Sequence, residues 1–99
     1  MLFVILASDR PGALELRLAT RPKHIDYWNA TGAVKIAGAM LENYNADGNP
    51  KGSIVIVDAP DLATVNKMLA DDPYTLAGVF GDDVRIELLR PGIGEWKPA

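Results

Sequence analysis

The sequence predicts an α+β domain in the order βαββαβ: a ferredoxin-like antiparallel sheet with two helices on one face. Three observations predict it. Leu2–Ala7 and, after its opening serine, Ser53–Val57 are apolar throughout, as strands covered on both faces are. The stretches opening at Val34 and Asp83 alternate apolar with polar residues and read as strands with one wet face. Two stretches of helical spacing lie on either side of the turn-rich segment around Asp47–Gly48. In a split βαβ arrangement the first and third strands are central and the others are edges. The patterning has that distribution, so local and global signals agree.

The elements follow in order. Leu2 to Ala7 is rich in strand formers, and Ser8-Asp9-Arg10-Pro11-Gly12 ends it as a loop. Ala13 to Ala19 is helical, with Leu14 and Leu18 four residues apart and Arg17 and Arg21 at the same spacing. Pro22 lacks an amide hydrogen and biases Arg21 away from the helical region. The expectation is therefore a short first helix, a break, and a main helix from about Pro22 to Ala30. Thr20 is its candidate cap and Gly32 its terminator.

Val34–Met40 is an edge strand in which Gly38 marks either a bulge or a close approach of backbone to ligand. Asn43–Gly52 is a hairpin loop with Asp47–Gly48 as its tight turn. Leu62, Val65, Met68 and Leu69 form the apolar stripe of a second helix, with Asp61 as its cap and Asp71-Asp72-Pro73 as its stop. Tyr74–Phe80 suggests one helical turn, Asp82–Asp83 a solvated turn, and Asp83–Leu88 the last strand. Residues 91–99, with two glycines and two prolines, form an irregular tail.

Ninety-nine residues, 48% hydrophobic and 23% charged, make one domain spanning residues 1–99. Net charge is −3 and the ten basic residues form no block, which argues against a nucleic-acid partner. There is no cysteine, which removes disulfides, thiolate chemistry and cysteine-based zinc sites. One histidine among dispersed carboxylates has no recognisable ligand spacing, so neither metal nor cofactor is expected. Leu2–Ala7 is too short for a membrane span or a signal core. The expectation is a soluble cytoplasmic protein with no membrane partner.

His24 is the only histidine. Proton transfer near neutral pH runs through it, or through a carboxylate or tyrosine with a displaced pKa. On a helix it is an i,i+4 neighbour of Trp28, at the border of the apolar stripe, whereas Asp26 falls on the opposite side and is a poor partner. Arg17 and Arg21 have the chemistry to hold a carboxylate or enolate bidentately. Equally, they suit a solvated face paired with Glu15 or Asp26. Ser53 is either a donor into a pocket or a turn-ending serine, and Tyr74 either a pocket hydroxyl or a core aromatic. Trp28 and Trp96 read as packing residues.

Several of these residues stand together in a known order. Asp9-Arg10-Pro11-Gly12, Arg17 with Arg21-Pro22-Lys23-His24, Ala37-Gly38, Gly52-Ser53, and Asp72-Pro73-Tyr74 with Ala77-Gly78-Val79-Phe80 resemble the YciI-like proteins, from Met1 to about Pro91. The resemblance implies a ferredoxin-like protomer that pairs sheet to sheet as a homodimer, a dimeric α/β barrel. It also implies a pocket with a His–Asp pair, carried over to His24 and Asp72, and relatives that act as lyases or isomerases on small cyclic enols or chlorinated hydroquinones. Where many members have a proline soon after the glycine ending strand two, Ala39-Met40 follow Gly38 here, so the pocket rim differs.

Two functional readings follow. In one, His24 and Asp72 are catalytic and Arg21, Ser53, Tyr74, Arg17 and Gly38 bind the substrate. In the other, the same pocket holds a small metabolite without turnover. From the residues alone, His24 is as readily a helix-surface residue beside Trp28, and Asp72 a cap for the turn after Pro73. A separate argument favours pairing of sheets. Two helices cover one face, and at about 25 cal/mol per Å² of apolar surface a second face left wet forfeits a large part of a small domain's stability.

Overall fold

The computed structural model describes residues 1–97; Pro98 and Ala99 of the expected tail lie outside the described residues. Four strands form one antiparallel sheet: β1 (Leu2–Asp9), β2 (Val34–Leu41), β3 (Pro50–Asp58) and β4 (Phe80–Leu89). Their spatial order is β2-β3-β1-β4, so the two continuous apolar runs are central and the two alternating ones are edges, as the patterning predicts. Three helices connect them: α1 (Leu14–Thr31), α2 (Leu62–Asp71) and the short α3 (Pro73–Ala77). Among the described residues no helix is long and apolar enough to cross a membrane.

The core lies between the helices and one face of the sheet. Phe3 and Ile5 from β1, Val55 and Val57 from β3, Trp28 from α1 and Val65 from α2 form its main cluster. Ala13, Tyr74 and Val79 form a second cluster at the end of the sheet where β1 finishes. Period-two alternation places the remaining apolar residues of the central strands on the opposite face. There Val4, Leu6, Ile54 and Ile56 are only half-buried, and Ile36 on β2 is 56% exposed.

The expected break at Pro22 is absent. α1 runs unbroken through it to Gly32, whose left-handed backbone (φ 65°) ends the helix. The reason is the side of the helix on which the proline falls. Pro22 is exposed, and Leu18, whose carbonyl loses its amide donor to the proline ring, is 53% exposed. The unmet acceptor is therefore on the solvent side, where its cost is least. Two smaller differences concern boundaries. Asp82 and Asp83 belong to β4, not to a turn, and Asp83 accepts a hydrogen bond from Ser8 Oγ at 3.1 Å. β3 starts at Pro50, three residues before the apolar run.

Candidate active site

Because α1 is continuous, Arg17, Arg21, His24 and Trp28 follow at steps of four, three and four residues and share one side of the helix. Opposite them stand Ala37, Gly38 and Ala39 on β2, Ser53 on β3 and Tyr74 on α3. Together they line a cavity of about 280 Å³, small but close to the range of small-ligand sites. A larger trough of about 830 Å³ lies at the other end of β1 and β3, between Leu2, Lys35, Leu88 and Trp96. His24 is not part of it.

Asp72 sits at the corner between α2 and α3. Its backbone leaves helical geometry there (φ −59°, ψ 127°), and Pro73 opens the next helix. The side chain is fully buried, accepts from two donors and faces a third nitrogen. Oδ1 takes the Tyr74 amide at 2.9 Å and faces His24 Nδ1 at 2.8 Å, while Oδ2 takes Trp28 Nε1 at 3.0 Å. Asp72 is thus the cap of α3 and the neighbour of His24 at once; the two sequence readings are not exclusive. His24 is largely buried, with 12% of its side chain exposed. Its ring stacks on that of Tyr74, with centroids 3.8 Å apart and planes 17° from parallel. With Nδ1 against Asp72, Nε2 is the ring nitrogen left for other chemistry.

Arg17 is neither on a solvated face nor paired with Glu15 or Asp26. It is 3% exposed. Its Nη2 donates to the Gly52 carbonyl at 2.6 Å and to Ser53 Oγ. Its Nε lies 3.0 Å from Asp9 Oδ2, and the guanidinium sits 4.6 Å from the Tyr74 ring centre. The Arg17–Asp9 pair is Coulombic: neither Asp9 oxygen nor Arg17 Nε has an aligned hydrogen-bond partner. Burial pushes the Asp9 carboxyl above its ordinary range, against the pull of the Arg17 charge. Gly52 is required for the close pairing of β3 with β1, since a Cβ there would stand 2.6 Å from the Ala7 carbonyl oxygen.

The remaining sequence candidates divide by exposure. Ser53 is 3% exposed. Its oxygen accepts from Arg17, which leaves its own hydrogen to be donated. Tyr74 is 2% exposed. Burial pushes its hydroxyl pKa up, with Arg17 and Arg21 pulling it down and Asp72 and Asp9 adding to the rise. Arg21 is exposed at the cavity rim. Gly38 lines the cavity, with open space where a Cβ would stand. It is not a bulge; the register shifts of β2 fall between Val34 and Ile36 and between Met40 and Leu41.

Two residues of the arrangement carried no role in the sequence reading. Asp9 appeared only within a loop signature, and nothing local announces an ion pair with a helix residue beyond that loop. Trp28 read as packing; its ring does pack, but its N–H has a destination that only the corner at Asp72 supplies.

Comparison with known proteins places the chain in a family. A model described as the YCII-related domain matches residues 1–88. A protein of Haemophilus influenzae is 34% identical over 88 residues, covering 83% of this chain and 90% of its own length. Protein YciI of Escherichia coli O6:H1 is 34% identical over 86 residues, covering 81% of this chain and 88% of its own. Among solved structures, 5-chloro-2-hydroxyhydroquinone dehydrochlorinase of Burkholderia phenoliruptrix, in complex with 2,5-dihydroxybenzoquinone, is similar with a TM-score of 0.85 and 28% identity. The match covers 93% of this chain and 96% of that one.

Proposed function

The chain belongs to the YCII-related domain family, and from that premise we propose that it is a small-molecule enzyme of the lyase or isomerase type. It moves a proton on a small cyclic or enolic compound. The observation that carries the reading is the 2.8 Å approach of His24 Nδ1 to the fully buried Asp72 carboxylate, at the wall of a cavity that also presents Ser53, Tyr74 and Arg21.

In this reading His24 Nε2 accepts a proton from a hydroxyl, or from a carbon next to a carbonyl, and Asp72 orients the ring and favours the imidazolium that forms. The electron pair left on the substrate becomes an enolate. Its oxygen meets the Ser53 hydroxyl hydrogen and the Arg21 guanidinium, donors suited to a developing oxyanion. The imidazolium then returns the proton to another atom, which completes an isomerisation. Alternatively, the enolate expels a leaving group with its electron pair and the imidazolium gives its proton to solvent, which completes an elimination. Tyr74 fixes the plane of the imidazole by stacking, Arg17 holds Ser53, and Gly38 leaves room at the cavity wall. The similar dehydrochlorinase, with its quinone ligand, supports small oxygenated rings as the substrate class.

We further propose that two copies close sheet to sheet. The half-buried and exposed apolar residues on the face away from the helices, Val4, Leu6, Ile36, Ile54 and Ile56, support this.

The test is turnover of a panel of small cyclic enols, 5-chloro-2-hydroxyhydroquinone among them, by the wild type and by His24→Ala. Consumption of a panel member that is lost in the variant supports the enzyme. Binding of panel members without consumption identifies a metabolite-binding module instead.

A further inference from the structure

We propose that the cavity selects its ligand by charge: it takes a small ring in anionic form, with the negative oxygen between Ser53 and Arg21. This deepens the reading of a proton-transfer site and rests on it only for where the ligand reacts; the charge of the ligand follows from the lining. Arg17, Arg21 and His24 line the cavity, and no aspartate or glutamate does. The chain as a whole carries −3, so the positive lining is local. Its charges are compensated unevenly. Arg17 has Asp9 Oδ2 at 3.0 Å and His24 has Asp72 Oδ1 at 2.8 Å. Arg21 has no ion pair among the described residues, and is the formal charge at the cavity left for a ligand.

An exposed arginine without a carboxylate is ordinary; the buried hydroxyl facing the same cavity sets Arg21 apart. Ser53 is 3% exposed. Arg17 Nη2 donates to its oxygen, and a guanidinium can only donate. The Ser53 hydrogen has no acceptor among the described residues, and Ser53 lines the cavity. A buried donor without an acceptor is costly, and a ligand oxygen in the cavity removes that cost. Because Asp9 balances Arg17, this arrangement directs the Ser53 hydrogen without adding net charge. The other polar groups of the lining do not call for a cation. The side chains of Asn29 and Tyr74 donate as well as accept, and His24 Nε2 becomes a donor once the ring takes a proton. Hydrogen bonds to a charged acceptor are stronger than those to a neutral one. Ser53 and Arg21 together therefore favour an anionic oxygen over a neutral one of the same shape, while Trp28, Val34 and Ala37 supply apolar wall for the ring.

Benzoate, nitrobenzene and benzamidinium share one planar shape and differ in charge. None changes protonation near neutral pH and none is an enol, so binding is read without turnover. Titrations of the wild type, followed by NMR at the Gly38 and Ser53 amides, should show benzoate binding about tenfold tighter than nitrobenzene. That factor is the excess of a hydrogen bond to a charged acceptor over one to a neutral acceptor. Benzamidinium should not bind. Arg21→Gln and Ser53→Ala should each reduce the preference for benzoate by about threefold or more. Both variants should fold: Arg21 is exposed, and Ser53→Ala leaves Arg17 Nη2 its bond to the Gly52 carbonyl. Lys23→Gln removes a positive charge from an exposed position of the same helix outside the cavity, and should leave the preference unchanged. Benzoate that fails to bind, or that binds no tighter than nitrobenzene, overturns the proposal. So does a preference that survives in both Arg21→Gln and Ser53→Ala, or that falls as far in Lys23→Gln. Failure to turn over any enol would leave the preference standing, and a preference for benzoate is no evidence of turnover.

Discussion

One carboxylate oxygen of Asp72 lies 2.9 Å from the Tyr74 amide and 2.8 Å from His24 Nδ1. The same atom that starts α3 therefore faces the only imidazole. The two partners should separate on mutation. Asp72→Ala leaves a buried amide and a buried indole N–H without acceptors, and should cost about 2–4 kcal/mol of stability. His24→Ala removes a partner that water can replace at the cavity, and should cost about 1 kcal/mol or less. Chemical denaturation of both variants checks the asymmetry; equal losses would mean that Asp72 serves His24 alone.

α1 carries Pro22 in its interior. Replacement by alanine restores an amide donor and removes the ring, against a gain in freedom of the unfolded chain. Pro22→Ala should raise stability by about 1–3 kcal/mol, read as a higher denaturation midpoint with an unchanged slope. A loss of stability would show that the proline is built into the packing of the helix.

Arg17 and Asp9 form a buried pair, 3% and 8% exposed in their side chains. Removing one partner of such a pair leaves the other charge uncompensated, at about 3–5 kcal/mol. Arg17→Met should therefore be strongly destabilising, and Arg17→Met with Asp9→Leu markedly less so. Additive effects in this double-mutant cycle would contradict the pairing.

The same aspartate has a pH signature. Burial raises its pKa in the folded protein, over the opposing pull of Arg17. The folded state therefore binds this proton more tightly than the unfolded chain does. Stability from that difference is complete below the unfolded value of about 3.9 and is lost as pH rises through the raised folded value. Across that window the Tm of wild type should fall relative to that of Asp9→Asn. A wild type that gains on the variant as pH rises would reverse the sign and count against a burial-dominated shift.

The strand order was legible because burial on two faces and burial on one leave different patterns, and Leu2–Ala7 differs visibly from Asp83–Leu88. The loop between β2 and β3 and the cap at Asp61, which accepts from the Thr64 amide at 2.8 Å, were legible as local chemistry; the tight turn itself closes from the Asn45 carbonyl to the Gly48 amide, with Ala46 and Asp47 at its centre rather than Asp47 and Gly48. Pro22 was misread because the proline rule is one-dimensional: which side of a helix meets water is decided by the sheet beneath it. Asp72 was found as a partner for His24 only through resemblance, since 48 residues separate them and no periodicity spans that distance. Arg17 stayed open between a substrate-holding role and a solvated face for the same reason, and burial removes the second. Its charge looked solvated because the carboxylate that compensates it is on a strand end, not on the helix. The side chains of the site are thus named by sequence, but their partners are named by the fold.

The central claim is that His24 moves a proton on a small enolic substrate. The most direct measurement is the rate of solvent deuterium exchange at the acidic C–H of small cyclic enols and their keto forms, followed by NMR with wild type and His24→Ala. Wild type should accelerate exchange for at least one member of the series. His24→Ala, folded to the same Tm within a few degrees, should lose about 100-fold or more of that rate, the contribution of a positioned general base. A His24→Ala protein that exchanges as fast as wild type would contradict the account.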